Sequence, residues 1–499
     1  MKLRSRTSIL ATTLLALAIP VSGTVAQKHH HYKLIDLGTF GGPTSSTQDE
    51  LQVLNHRGMV AGTADTSVPN HPNSCIPFCG GAFISHAFLW SKGVLHELPS
   101  LPGGNSSNAF WISDSGLVAG FSETEAIDPI LGVREFHAVL WRDGEIIDLG
   151  TLEGGFESAA FAVNSRGQVA GGFFNTVPDP SQFTGTQQRV FRWENGVMRD
   201  LGTLGGPDAG LLGGFKGNVE MNERGQVVAC SMTANINPVT GTPTVDPFLW
   251  DKEQGMIDLG TLGGTSGCAI NLNNRGQVVG YSNMAGDLTH HPFLWERGKI
   301  RDLGTLGGPS GFANWISEAG EVAGTADNEG GQHHAFLWKN GIMTDLGTLP
   351  GDSCDQSQAV NSKGQMVGES STSPACDFSI NARAFLWENR GPMVDLNALV
   401  PSGSGLMLNG AVDINSRGEI VGSGLLANGD QHAVLLIPCD ENHPDIEGCD
   451  YSQVEVRAVA ATHMPADAGP HKQLTPQEIS RIGALLMNRH RGFMPKTAE

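Results

Sequence analysis

The chain has 499 residues, a formal net charge of −20, 66 glycines and only 16% charged residues. So acidic a balance argues against nucleic acid and anionic membrane surfaces as partners, because phosphate binding rests on Lys and Arg. Abundant glycine without a long helical pattern is the composition of many short strands joined by turns.

Residues 1–26 combine a basic start (Lys2, Arg4, Arg6), an apolar run from Ile9 to Ile19 and small residues ending at Ala26. This is the pattern of a secretory signal peptide cut before Gln27. Its removal would take the charge from −20 to −23. No later apolar run is long enough to span a bilayer, so no membrane insertion is expected and the location is secreted, extracellular or periplasmic. A chain starting Gln27-Lys28-His29 would offer an amine, two amides and an imidazole to copper or nickel, which makes His29 a weak metal candidate against the plainer reading of a solvated tail.

From residue 32 onward a unit of about 50 residues recurs, the signature of a propeller or solenoid. An Asx/Ser-x-x-Gly turn comes first, beginning at Asn55, Ser113, Asn164, Asn222, Asn273, Ser317, Asn361 and Asn415. The residue before each turn is aliphatic, whereas the one before that varies (Val53, Trp111, Ala162, Glu220, Asn271, Trp315, Ala359, Asp413). Such alternation predicts a strand with one buried position and a neighbour facing elsewhere. A QVVG-like strand follows the glycine, then an HAFLW-like strand starting at His86, His137, Arg189, Asp246, His291, His334, Arg383 and His432. An Asp-Leu-Gly strand closes the unit at Asp36, Asp148, Asp200, Asp258, Asp302 and Asp345, and degrades to Glu97-Leu98 and Asp395-Leu396.

Four short strands in meander order make a propeller blade. The chain opens on a lone fourth strand and its last unit stops after the third, so the N-terminal strand is expected to complete the last blade and leave no edge there. The expected fold is an all-β, eight-bladed β-propeller over residues 32–438, with seven blades plus a degenerate unit as the alternative. By its HAFLW and DLGTLGG strings, repeated over the same residues, the chain resembles the HAF family of extracellular repeat proteins. That resemblance implies an exported repeat protein and brings no catalytic residues with it.

Eight cysteines in an exported chain point to disulfides. Proximity in the repeat favours Cys75 with Cys79, Cys354 with Cys376 and Cys439 with Cys449, leaving Cys230 and Cys268 to tie neighbouring units. Residues 439–499 then form a C-terminal segment: an acidic loop between Cys439 and Cys449, a linker over 457–472, and a short amphipathic helix. Its capping box is Thr475-Pro476-Gln477-Glu478, and Ile479, Ile482, Leu485 and Leu486 line one face.

The repeated histidines look like metal ligands, but they recur in blades too far apart to share an ion. Their bland reading is a structural bond to the adjacent DLGTLGG backbone, with the DLG aspartate anchoring a turn. The GTLGG segments precede no helix and carry no P-loop lysine, so no phosphate cradle and no cofactor is expected. Connections between second and third strands share one face with those between blades. The insertions at 63–85, 122–136, 173–188 and 231–245 therefore gather there as candidate binding loops for a glycan or protein. Trp111 and Trp315 are candidate ligand-binding platforms near the channel, weighed against simple channel filling. Glu220 and Asp413 are weak candidates for a general acid and base, the pair that glycoside cleavage uses. An exported interaction module is the preferred reading, and a secreted polysaccharide-degrading enzyme using those channel carboxylates is the alternative.

Overall fold

The computed structural model describes residues 25–49, 51–70, 74, 81–152, 154–179, 182, 185–210, 219–378, 381–458 and 462–465. Most of the expected signal peptide, Cys75, Cys79 and the C-terminal helix lie outside these residues. The strands assemble in chain order into eight four-stranded antiparallel units, and the molecule is a β-propeller. Blade five is representative: Gly263–Leu272, Val278–Met284, His290–Glu296 and Lys299–Asp302, each paired with the next. In blade four the inner strand comes in two pieces, Gly205–Gly210 and Glu220–Met221, both on Val227–Ile236.

The ring closes as the strand offset requires. Tyr32–Asp36 pairs antiparallel with Gln431–Pro438 as the outer strand of blade eight. Blade eight also reaches blade one through Asn415, whose Nδ2 donates to the Asn55 carbonyl at 3.0 Å. The same bond links turn to turn elsewhere in the ring, for example Asn55 to Ser113, Asn222 to Asn273 and Asn361 to Asn415. A second set of bonds joins neighbours further out: the backbone N–H of Ala87, Ala138, Gln188, Ala335 and Ala433 donates to Ser107, Ser158, Asp208, Asp355 and Ser45 of the adjoining blade.

The core between sheets is made by the repeat's own aromatic. Phe88, Phe191, Phe248, Phe293, Phe336 and Phe385 of the third strands are wholly buried. Opposite all but Phe248 stands a glycine of the second strand; Phe248 faces Ala229. A Cβ on Gly62 would lie 2.6 Å from the Phe88 ring, and one on Gly324 would lie 2.5 Å from Phe336, so the ring occupies the space any side chain would need.

Two sequence expectations change in form. The aliphatic residues before the turns are buried as expected, and most of their variable neighbours are buried as well; seven of the eight aliphatics and five of the eight neighbours line the central cavity. A register shift in the inner strand precedes this pair in most blades, as between Ala109 and Trp111 or Ala411 and Asp413. The described part of the expected linker is strand: Arg457 and Ala458 end one strand, and Thr462–Pro465 forms another. Gln453–Ala458 pairs with Val25–His30, and Thr462–Pro465 pairs with the outer strand of blade six, Ile342–Asp345, whose free edge offers an unpaired row of backbone groups.

The histidines also bond differently from expectation. His137, His291, His334 and His432 pair with the DLG aspartates Asp148, Asp302, Asp345 and Asp36 of the same blade at 2.9–3.1 Å, side chain to side chain rather than to backbone. His86 pairs with Glu97 where that aspartate has become glutamate, and its Nε2 also makes the expected bond to adjacent backbone, at the Asn105 carbonyl 2.9 Å away. The aspartate's turn-anchoring role does hold: Asp148, Asp302 and Asp345 each accept the N–H of the glycine two residues on. Burial raises the Asp148 carboxyl, but its bonds to His137 and Gly150 outweigh this and hold it below the ordinary value. Arg383 keeps the pairing with Asp395 at 3.0 Å. Asp246 breaks it: burial, and then Asp258 facing it, push its carboxyl up to about 6.

Candidate functional site

The eight inner strands enclose a cavity of about 390 Å³ on the channel axis, lined by residues of every blade. Trp111, Trp315, Glu220 and Asp413, the four residues singled out by their variable position, all line it. Asn271 at the same position also lines it, as do seven of the eight aliphatics next to the turns, whereas Val53, Ala162 and Ala359 do not. Trp111 is buried and Trp315 half-buried.

Both deep carboxylates are engaged by neighbouring blades. Asp413 accepts the N–H groups of Val53 and Leu54 of blade one at 3.2 and 3.1 Å, and of Ile414 at 2.7 Å. Burial pushes its carboxyl up to about 7, and the three N–H donors only partly offset that. Glu220 accepts from Asn271 Nδ2 at 2.7 Å, and Asn271 Oδ1 in turn accepts from Ile316 N at 3.1 Å. A buried relay thus runs through blades four, five and six, whereas Asp413 spans blades eight and one.

The residue after each turn's first member forms the cavity mouth, a feature the sequence reading passed over. Asp114, Glu223 and Glu318 stand there in alternate blades, with His56, Asn274 and Ser416 between some of them. Each acid accepts a backbone N–H from the preceding blade, at His56, Ser165 and Asn274 respectively. The signal was present in the sequence as acids at one turn position. The lining therefore contains five carboxylates and no Lys or Arg, a cavity suited to cationic or hydrogen-bonding groups and hostile to phosphate.

The opposite face carries the insertions, whose described residues in part lengthen the second and third strands. In blades one to four these strands run Val60–Pro69 and Phe83–Ser91, Val118–Ile127 and Arg134–Arg142, Val169–Pro178 and Thr186–Glu194, Val227–Ile236 and Pro243–Asp251. Blade five has only Val278–Met284 and His290–Glu296. Three extra residues in each second strand and two in each third strand carry the hairpins about 7–10 Å further out. Each has a register shift just before its last pair, as between Glu123 and Ile127. Val68, Ile127, Ile130, Val177, Ile236 and Val239 are exposed near these tips, Val239 by 90%, and Leu288 of blade five continues the arc.

Away from both, His29 is buried with its Nδ1 at 2.9 Å from Glu388, so its imidazole is committed within the fold. Cys230–Cys268, Cys354–Cys376 and Cys439–Cys449 are disulfides, and the first ties blade four to blade five. Among the described residues no cluster of three metal-ligating side chains occurs, and no helix is long and apolar enough to cross a membrane.

No family model and no curated protein matches the sequence. Among solved structures, the chain is similar to the β-propeller domain of the Trilobed protease from Pyrococcus furiosus, at 9% identity and TM-score 0.37, over 68% of this chain and 93% of that one. It is also similar to the Pyrococcus horikoshii acylaminoacyl peptidase, at 10% identity and TM-score 0.38, over 65% of this chain and half of that one. A third similar structure is TolB from Acinetobacter baumannii, at 11% identity and TM-score 0.31, over 76% of this chain and 79% of that one.

Proposed function

We propose that this chain is an exported interaction module of the HAF type, which docks a protein partner on the hairpin crown of blades one to four. The observation that carries this reading is the set of exposed aliphatic tips on adjacent hairpins, Val68, Ile127, Val177 and Ile236. Contiguous exposed apolar surface marks interaction sites on soluble proteins. Aliphatic tips favour a protein surface over a glycan, which would be met by aromatic rings and polar groups. The charge of −20 favours a neutral or basic partner. Disulfides suit the oxidising compartment that export implies.

The test is to immobilise the purified chain and challenge it with the secreted and envelope proteins of its own source, beside an Ile127→Asp/Ile236→Asp variant. The expected result is a protein retained by the parent and lost by a variant that melts normally. Equal retention by both, or depletion of the chain by an insoluble polysaccharide to the same extent in both, would sink the reading.

A second reading, cleavage of a polysaccharide in the channel, is favoured by one observation: Glu220 and the raised Asp413 share a cavity. It requires release of sugar ends that Glu220→Gln and Asp413→Asn abolish in a folded protein.

A further inference from the structure

At the root of the crown, between blades one and two, lies a second cavity of about 200 Å³. It is smaller than the roughly 300–1,000 Å³ of drug-sized sites, and matches a ligand of one ring. Its walls are polar and uncharged but for one carboxylate: Thr44, Thr63, Ser85, Ser106, Asn108 and Asp65 line it with the Phe121 ring.

The hydrogen bonding already present defines what these walls can still offer. Asp65 accepts from Thr44 Oγ1 at 2.6 Å and Ser85 Oγ at 2.7 Å, and each carboxylate oxygen keeps further acceptor capacity. Asn108 Oδ1 accepts from Thr63 Oγ1, which fixes the amide so that its Nδ2 is left as a donor. Ser106 lines the cavity and is 3% exposed, and its buried Oγ has no hydrogen-bond partner. A buried hydroxyl left in that state destabilises the fold. Phe121 is held by tilted contacts with Phe110 and Phe136 and gives the cavity one apolar wall.

Closely spaced donors and acceptors beside one aromatic ring are the complement of a molecule whose hydroxyls each donate and accept and whose C–H faces are apolar. A metal ion would want convergent anionic oxygens, and an anion would meet Asp65. We infer that this cavity is a binding site for a single neutral pyranose unit, held by Asp65, Ser106 and Asn108 against Phe121. The site is independent of the crown's partner and uses none of the crown's tips.

The experiment is a titration of the full chain with glucose, galactose, mannose and xylose, followed by ligand-observed NMR, for the parent and two variants. Asn108→Asp keeps the acceptor for Thr63 and removes the N–H donors. Ser106→Ala removes the unpartnered hydroxyl. At least one of the sugars should bind the parent, and each variant should weaken it about 3–10-fold, the loss of one neutral hydrogen bond. Ser106→Ala should also melt higher than the parent, which shows that it folds and that the hydroxyl is not there for stability. No saturable binding of any of the four, or affinities unchanged in both variants, overturns the inference. The Ile127→Asp/Ile236→Asp variant should bind the sugar as the parent does, so the two proposals fail separately.

Discussion

At the scale of single residues, the repeat is held by side chains that depart from their usual charge state or partner. Glu157 shows what burial does to one of them. It is buried beside Asp128, and burial first, then the hydrogen bond and charge of Asp128, push its carboxyl up to about 9. The group is thus protonated in the folded protein at neutral pH and ionised in the unfolded one. Because the folded value lies above the unfolded one, the unfolded state releases the proton first. The contribution of Glu157 to stability is therefore fully present below about pH 4.5 and is lost as pH rises towards 9, on the order of 1 kcal/mol per pH unit. Glu157→Gln copies the protonated form and should flatten that part of the profile. Urea midpoints at pH 5 and pH 8 should diverge between parent and variant, with the variant ahead at pH 8. Parallel curves would show that Glu157 is ionised in the fold.

At the scale of elements, what could be read from the sequence was what the repeat repeats. The buried aliphatics before each turn, the strand order and the structural role of the DLG aspartates follow from residues that recur, because period-2 patterning and turn chemistry are local. The insertions of blades one to four were read as loops on one face, and the strand-forming part of each was missed. Their residues continue the second and third strands past a register shift, a cross-strand pairing that no local pattern reports. The mouth carboxylates Asp114, Glu223 and Glu318 escaped notice for the opposite reason, since each is an ordinary turn residue until the ring brings them together. Cys230 and Cys268 were left as a pair by elimination, and the fold explains why they meet. Cys230 lies on the second strand of blade four and Cys268 on the inner strand of blade five, with Cα atoms 4.8 Å apart. The bond closes a separation of 38 residues where, among the described residues, the pairing of Val245 with Ser266 joins blades four and five into one sheet. Cys230→Ser/Cys268→Ser should cost about 2–4 kcal/mol. Thermal melts with and without reductant would check it: the parent should fall towards the double variant when reduced, and an unchanged melt in the variant would show that the sheet alone holds these blades.

At the scale of the whole molecule, closure decides whether the blades act as one body. Each blade contacts its neighbours through the turn ring and the third-strand N–H bonds, so an open array would be stable blade by blade, as in a solenoid. The N-terminal strand changes this, because Tyr32–Asp36 fills the edge of Gln431–Pro438 and brings His432 to Asp36 at 2.9 Å. Leu37 N–H adds a bond to the Ala433 carbonyl, and Tyr32 N–H one to the Leu399 carbonyl. Removing residues 25–36 takes away this strand and leaves blade eight with a free third strand of mostly apolar residues, VLLI at 434–437. Such an edge recruits another strand. The truncated chain should therefore self-associate and unfold over a broader urea range, with its earliest loss in blades eight and one. Returning the same strand after Pro438 through a flexible linker should restore a monomer and a single sharp transition, since the pairing is antiparallel and needs only the strand, not its place in the chain. Light scattering reads the first effect and the slope of the urea transition the second. A truncated chain that stays monomeric with an unchanged midpoint would mean that the turn ring alone closes the propeller.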